Sequence, residues 1–267
     1  MSVTTAPTYR LTARGIVAGE WTKFWSLRSS WITLAVSVFL LVLVGVIAAA
    51  SSDPSGAGGG PGGPGASDAV GLALSGSTFA ALAVGVLGVL LAAGEYSTGM
   101  IRSTLAAVPS RLPVLWSKAL IAGGLALVVM SAGALVSFMA GSPLVPDALA
   151  GLGLGDDGVL RSLLGSGLYL GLVAVLGVGL GALMRSSAGG IAVLAGALLI
   201  VPGLVMLLPD SWADTITPYL PSNAGGAIMS MQTADGSLGP WAGLAVFGVY
   251  VAAVLGAAAW RLAKTDA

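Results

Sequence analysis

The sequence contains no cysteine and no histidine among its 267 residues. Without cysteine, the chain cannot form disulfides, thiolate nucleophiles or thiolate metal sites. Without histidine, it cannot build an HExxH zinc site, a Ser-His-Asp triad or an imidazole proton relay. These absences exclude many enzyme mechanisms, and we expect the chain to have no catalytic residue, no cofactor and no metal ligand.

Charged residues are also scarce. They make up 8% of the chain, against about 25% in an ordinary soluble domain, while 56% of the residues are hydrophobic and the mean hydropathy is +0.97. Lysine plus arginine equals aspartate plus glutamate at 11 each, so no basic excess indicates a nucleic-acid partner. The composition predicts an integral membrane protein.

The chain has few lysines, and their positions exclude one common nucleotide site. A P-loop requires the pattern GxxxxGK[ST], and none of Lys23, Lys118 and Lys264 stands in that pattern. The stretch at 51–68 is rich in Gly and Pro and is interpreted as a flexible linker. GLGLGDDG at 151–158 is interpreted as a turn rather than a cation site, because two adjacent Asp fall short of the spaced ligands of a calcium loop. We expect no ATP binding through a P-loop of this chain.

Six uncharged, mostly apolar runs are long enough to cross a bilayer core, which takes about 20 helical residues. Charged or turn-forming residues bound each run. The last run begins and ends with Trp, an arrangement that suits the two membrane interfaces. We predict six transmembrane helices at 31–50, 69–94, 119–141, 162–184, 188–208 and 241–260.

Basic residues predict the orientation, because Lys and Arg concentrate on the cytoplasmic side. With six spans, every basic residue except Arg161 falls on one side, and most aspartates fall on the other. Both termini are therefore predicted to be cytoplasmic. The cytoplasmic residues are Arg10, Arg14, Lys23, Arg28, Arg102, Arg111, Lys118, Arg185, Arg261 and Lys264.

The domain organisation predicted from these spans is a single transmembrane domain over residues 1–267. It comprises a cytoplasmic tail with an interfacial helix at 1–30, a six-span bundle at 31–260 and a second tail at 261–267. A competing interpretation makes the first span a signal peptide ending in AAASS at 48–52. The long preceding tail and the full spanning length favour a retained anchor.

The segment before the first span has the pattern of an interfacial helix at about 14 to 29. At 100° per residue, one face collects the apolar residues Val17, Trp21, Phe24 and Trp25. Glu20 and Arg28 fall at or inside the edge of that face. A helix of this kind suits the headgroup boundary of a bilayer, and the alternative is a basic juxtamembrane tail.

Several features inside and between the spans carry further expectations. Gly167, Gly171, Gly177 and Gly181 have the small-xxx-small spacing of closely packed helices. Pro202 removes a backbone hydrogen bond and is expected to kink the fifth span. The segment 209–240 is too apolar for a free loop and is expected to be partly ordered or to dip into the membrane, with Pro218 and Pro221 preventing one continuous helix.

The connector between the second and third spans is longer than a simple hairpin needs. It reads GEYSTGMIRSTLAAVPSR at 94–111. Tyr96, Met100, Ile101 and Leu105 form one apolar edge of a helix near 95–108, and Pro109 ends it. A short amphipathic helix on the cytoplasmic side can rest on the membrane or dock on a partner.

This connector, followed by LWSKAL, resembles the first cytoplasmic connector of bacterial ATP-binding-cassette (ABC) transporter permeases of the type-two exporter class. The segment EWTKFWSLRSSW at 20–31 is similar to the interfacial helix of that family, and YLPSNAGGAI at 219–228 is similar to its segment before the last span. The resemblance implies an all-α permease with six spans, an N-terminal interfacial helix and a cytoplasmic coupling helix.

The same resemblance implies the partners and a contact site. A permease of this family pairs with a second permease copy or paralogue and with separate ATPase subunits, in a bacterial plasma membrane. The family's coupling helix contacts the ATPase subunit, which here corresponds to Glu95, Tyr96, Gly99, Ile101 and Arg102. Members often carry a basic residue after the Glu-Tyr pair, where this chain has Ser97. The uncharged spans suggest an apolar or amphipathic cargo.

Three other functions can be compared with the sequence. A gradient-driven secondary transporter usually keeps ionisable residues within its spans, and the six predicted runs contain none. An intramembrane enzyme using histidine or cysteine is excluded, and an aspartyl enzyme lacks its two intramembrane aspartates. A membrane anchor without transport activity differs from a permease in having no ATPase partner.

Overall fold

The computed structural model describes residues 12–52, 68–100, 112–146, 152–233 and 236–264. Within these ranges the chain forms helices and no strands, and six helical segments are long and apolar enough to cross a membrane. The prediction of an all-α, multi-pass membrane protein is confirmed. The α-helices are α1 (Ala13–Ser26), α2 (Arg28–Ala50), α3 (Ala69–Ala73), α4 (Ser77–Ser97), α5 (Leu112–Gly141), α6 (Val159–Met184), α7 (Ser187–Ala195), α8 (Val201–Val205), α9 (Asp210–Ile216), α10 (Pro221–Gly226) and α11 (Pro240–Lys264).

The spanning helices extend beyond several of the predicted ends. α4 continues through Ser97 rather than stopping at Gly94, and α5 begins at Leu112, so that it includes Lys118. Hydropathy alone ends a span at the first charged residue, but a helix continues when that charge finds a partner inside the protein. The second span is also interrupted, because a turn at 74–76 separates α3 from α4.

α6 is the central helix, packing most extensively against α4 and α5. Its predicted small-residue positions face those two neighbours. A Cβ added at Gly177 would lie 2.2 Å from the Gly85 carbonyl oxygen of α4, and one added at Gly171 would lie 2.9 Å from the Gly123 carbonyl oxygen of α5. Glycine therefore lets the backbones approach more closely than any side chain would allow.

The fifth span is irregular at its middle. α7 passes into a π-helical turn at Gly196–Ile200, and α8 begins immediately after it with Pro202 in its first turn. Proline lacks the N–H that would bond the carbonyl one turn earlier, and its ring crowds that carbonyl. The structure has a widened, π-helical turn just before Pro202, and the kink itself stays a prediction.

The segment at 209–229 forms short helices, and its later part at 221–229 packs against α6 and α11, whereas α9 has no buried residue. Pro218 and Pro221 divide the segment into short helices as predicted, and Ala224, Gly225 and Ile228 are buried. A Cβ added at Gly225 would lie 2.3 Å from the ring of Tyr169.

This contact shows how far the segment inserts into the bundle. Tyr169 lies ten residues into α6, about 15 Å along a helix that rises 1.5 Å per residue. At the mouth of the bundle, Arg161 Nη2 donates a hydrogen bond to the Ser230 carbonyl at 2.8 Å. The segment therefore inserts between the spanning helices, and the hydrogen bond from Arg161 holds its end at Ser230.

Substituting Gly177 with alanine tests the close packing on α6. We expect Gly177→Ala to lower the free energy of unfolding by about 1–3 kcal/mol, the usual cost of overpacking. Gly248→Ala is the control, because an added Cβ there has no atom within 4 Å. Unfolding by SDS titration of the purified chain in mixed micelles measures both variants, and equal stability of the two would contradict the packing.

Candidate functional site

The first helix, α1, packs one face into the bundle. Thr12 caps its N-terminus, where Oγ1 accepts a hydrogen bond from the Gly15 amide at 3.2 Å. The inward face carries Val17, Glu20 and Phe24, spaced at i, i+3 and i+7. A charged residue therefore lies between two apolar ones on the face that contacts the other helices.

The four residues predicted to form one interfacial stripe divide between two faces of α1. Phe24 is 1% exposed and Val17 packs against the core, whereas Trp21 and Trp25 are 43% and 50% exposed. Their two Trp rings make an edge contact with centroids 5.6 Å apart. A helix is present, but it ends at Ser26 rather than near residue 29. Its single apolar stripe is corrected, because Val17 and Phe24 pack against the bundle, and its interfacial location stays a prediction. The exposed Trp pair remains the face available to a membrane surface.

Glu95 lies in the last turns of α4 and not on a separate connecting helix. The chain leaves α4 at Thr98 and Gly99, where Gly99 has a φ of 73°, a conformation that favours glycine. Glu95 is 4% exposed. The predicted start of the coupling helix at residue 95 is therefore corrected: Glu95 belongs to α4, and its carboxylate is buried with charged partners. The contact of Glu95 with an ATPase subunit stays a prediction.

These partners form a closed ring of four side chains, which we call the charge ring: Glu20 and Lys23 of α1, Glu95 of α4 and Lys118 of α5. Lys118 Nζ donates to Glu20 Oε2 at 2.6 Å and to Glu95 Oε1 at 2.7 Å. Lys23 Nζ donates to Glu20 Oε1 at 2.7 Å and to Glu95 Oε1 at 2.9 Å. Each charge contacts two charges of opposite sign, and the ring is neutral.

Three members of the charge ring are buried, and this burial determines its energetics. The exposed fractions are 8% for Glu20, 4% for Glu95 and 8% for Lys118, against 33% for Lys23. Removing one partner from such a cluster leaves an uncompensated buried charge, which typically costs about 3–5 kcal/mol. One acceptor is left over, because Glu95 Oε2 is buried without a hydrogen-bond partner in the described part of the chain.

The ring changes the protonation behaviour of Lys23, which lies outside the spanning helices. Burial by itself lowers the pKa of a lysine. Here the hydrogen bonds and charges of Glu20 and Glu95 outweigh burial and raise the pKa of Lys23 above its ordinary value of 10.5. Lys23 therefore remains an ammonium group throughout the physiological pH range.

Two of the other residues predicted to contact an ATPase subunit, Tyr96 and Gly99, lie within the described part of the chain. The Arg185 guanidinium, at the end of α6, lies 5.4 Å from the ring centroid of half-buried Tyr96, in a cation-π contact. Gly99 is exposed at the start of the connector. Ile101 and Arg102 lie outside the described residues, as does the rest of the predicted coupling helix up to residue 108.

Sequence reasoning missed the pairing of Glu95 with Lys118 and α1. One signal was available, because Glu20 sits inside the apolar arc of α1, where a charge is costly unless it is paired. The spacing from Glu95 to Lys118 gave no such signal, since the two residues belong to different helices.

A scan against protein-family models and a search of curated proteins found no match to this chain. The described residues also contain no group of three or more acidic, His or Cys side chains that could hold a metal ion. The charge ring joins three helices, α1, α4 and α5. Any functional assignment depends on the residues and their geometry.

Replacing Lys118 tests the energetics of the charge ring. We expect Lys118→Met to lower the free energy of unfolding by about 3–5 kcal/mol, because it leaves two buried carboxylates to share Lys23. The double variant Lys118→Met with Glu20→Gln keeps one balanced pair and should lose less than the single variant. SDS titration measures both, and a larger loss in the double variant would be inconsistent with the ring.

The pKa of Lys23 gives a prediction about pH. Because its pKa is raised in the folded protein, its stabilising contribution is complete below the ordinary value of 10.5 and is lost as the pH rises through the folded pKa. NMR of chain labelled with ¹⁵N at lysine Nζ should show Lys23 titrating above that value, and closer to it in Glu20→Gln. Titration below 10.5 would mean that burial outweighs the two carboxylates.

Proposed function

We propose that this chain is the membrane-spanning permease subunit of an ABC exporter of the type-two class. It resides in a bacterial plasma membrane with both termini cytoplasmic, and a separate ATPase subunit supplies ATP hydrolysis. A second permease copy or paralogue completes the membrane part. The cargo is an apolar or amphipathic molecule.

The observation that best supports this proposal is the attachment of the connector to the bundle. The connector runs from the end of α4 to the start of α5, and the charge ring joins those two helices to α1. A partner that displaces the connector therefore acts on two spanning helices and on α1 together. That is the mechanical property required of a permease driven by a separate motor.

The structure gives less support to the gradient-driven alternative. The spanning helices contain Glu95 and Lys118 because they extend beyond the predicted runs, but both residues are paired near the connector. Ion-coupled transporters place exchangeable ionisable groups along the transport pathway. A closed, neutral ring at one end of the bundle is better suited to holding helices together.

The hypothesis of a non-transporting anchor differs from the exporter hypothesis in one respect: an anchor has no ATPase partner. The test is affinity purification of the tagged chain from gently solubilised membranes, with mass spectrometry to identify any subunit carrying Walker A and Walker B motifs. Glu95 is unsuitable for this test, because changing it disrupts the charge ring. Arg102→Glu alters the connector instead, and Arg14→Glu on the exposed part of α1 is the matched control.

We expect the unaltered chain and Arg14→Glu to recover the ATPase subunit equally. Arg102→Glu should weaken recovery about tenfold, the equivalent of about 1.4 kcal/mol in binding. Equal recovery by all three chains would remove the connector from the contact while keeping the exporter assignment. Repeated absence of an ATPase subunit with the unaltered chain would refute the exporter assignment and favour the anchor.

A further inference from the structure

A cavity of about 340 Å³ lies beside the charge ring, and its lining combines two kinds of surface. Its apolar wall comes from three helices and one corner: Phe24 of α1, Leu27 at the α1–α2 corner, Leu90 and Leu91 of α4, and Ile121 of α5. All four side chains of the charge ring line the same cavity. A cavity with an apolar wall and a charged end is suited to an amphipathic molecule.

The entrance of the cavity lies where a bilayer contacts the protein. Leu27 and Leu90 line the cavity and are 44% and 38% exposed. Leu90 belongs to a membrane-spanning helix, and Leu27 immediately precedes another, α2. We expect exposed leucines at these positions to contact lipid, which would let a lipid enter the cavity sideways from the leaflet next to α1.

The charge ring determines which headgroup fits. Because the ring is neutral, a headgroup with a net charge would add an uncompensated charge to a partly buried site, which is unfavourable. A zwitterionic headgroup adds none, and its two poles match the separated carboxylates and ammonium groups of the ring. An amphiphile with one positive and one negative pole is therefore favoured over an anionic or cationic one.

Unused acceptor sites in the ring further restrict the headgroup. Glu20 lines the cavity and accepts two hydrogen bonds in the described part of the chain, one on each oxygen, whereas an ionised carboxylate can accept about four. A primary ammonium group carries N–H donors, whereas a quaternary ammonium group carries none. We propose that this cavity binds an ammonium-phosphate zwitterionic phospholipid that retains N–H donors, as phosphatidylethanolamine does.

Competition between headgroups tests this proposal on the unaltered chain. The purified chain in detergent is mixed with equal amounts of dioleoyl phosphatidylethanolamine, phosphatidylcholine and phosphatidylglycerol, and native mass spectrometry measures the retained lipid. We expect phosphatidylethanolamine to exceed phosphatidylcholine about fivefold, the equilibrium effect of one net hydrogen bond. It should also exceed the anionic phosphatidylglycerol.

Two matched variants locate the site. Leu90→Trp fills the cavity and should remove the preference for phosphatidylethanolamine. Leu43→Trp is the control, because Leu43 is 39% exposed on α2 and does not line the cavity. Equal retention of phosphatidylethanolamine and phosphatidylcholine by the unaltered chain, or higher retention of phosphatidylglycerol, would overturn the proposal. Persistence of the preference in Leu90→Trp would also overturn it, by placing the lipid elsewhere. None of these results depends on an ATPase subunit.

Discussion

Four charged side chains from three helices share one largely buried contact, and the end of the bundle that carries the connector depends on it. Transferring a lone ammonium or carboxylate from water into protein costs several kcal/mol even after relaxation. The ring offsets this cost by giving each charge two opposite charges within 2.9 Å. Because hydrogen bonds of this length fail over small displacements, α1, α4 and α5 cannot slide past one another while the ring stays closed.

The ring in turn requires the close packing around α6. Glu95 and Lys118 meet only because α4 and α5 are held at fixed distances from the same central helix. Glycines set those distances: Gly177 faces the backbone of α4 and Gly171 faces that of α5. In a membrane, where lipid is as apolar as leucine, such backbone approach and dispersion contact are main sources of helix association. The weakly polar center of the bundle therefore positions the strongly polar contact at its end.

The parts of this structure that follow from local pattern were predictable, and the parts that follow from contacts between helices were not. Hydropathy predicted the six spans, and proline chemistry predicted that Pro218 and Pro221 divide the segment before the last span. The same hydropathy ended the second span at Gly94, because it treats Glu95 as exposed to lipid or water. Helical periodicity grouped Phe24 with Trp21 on one face, but it could not tell that α1 is rotated so that Phe24 and Glu20 face inward while Trp21 faces outward.

The neutrality of the ring determines whether movement of its helices is coupled to a change in charge. A single buried carboxylate would bind or release a proton as its surroundings changed, and movement of its helix would be coupled to pH. In the ring, both carboxylates keep two ammonium partners, and the raised pKa of Lys23 keeps that residue charged. Helix movement that preserves the ring therefore carries no net charge with it. This property favours a structure moved by a partner at the connector over one driven by ions passing through it, and it makes α1 part of whatever body the connector moves.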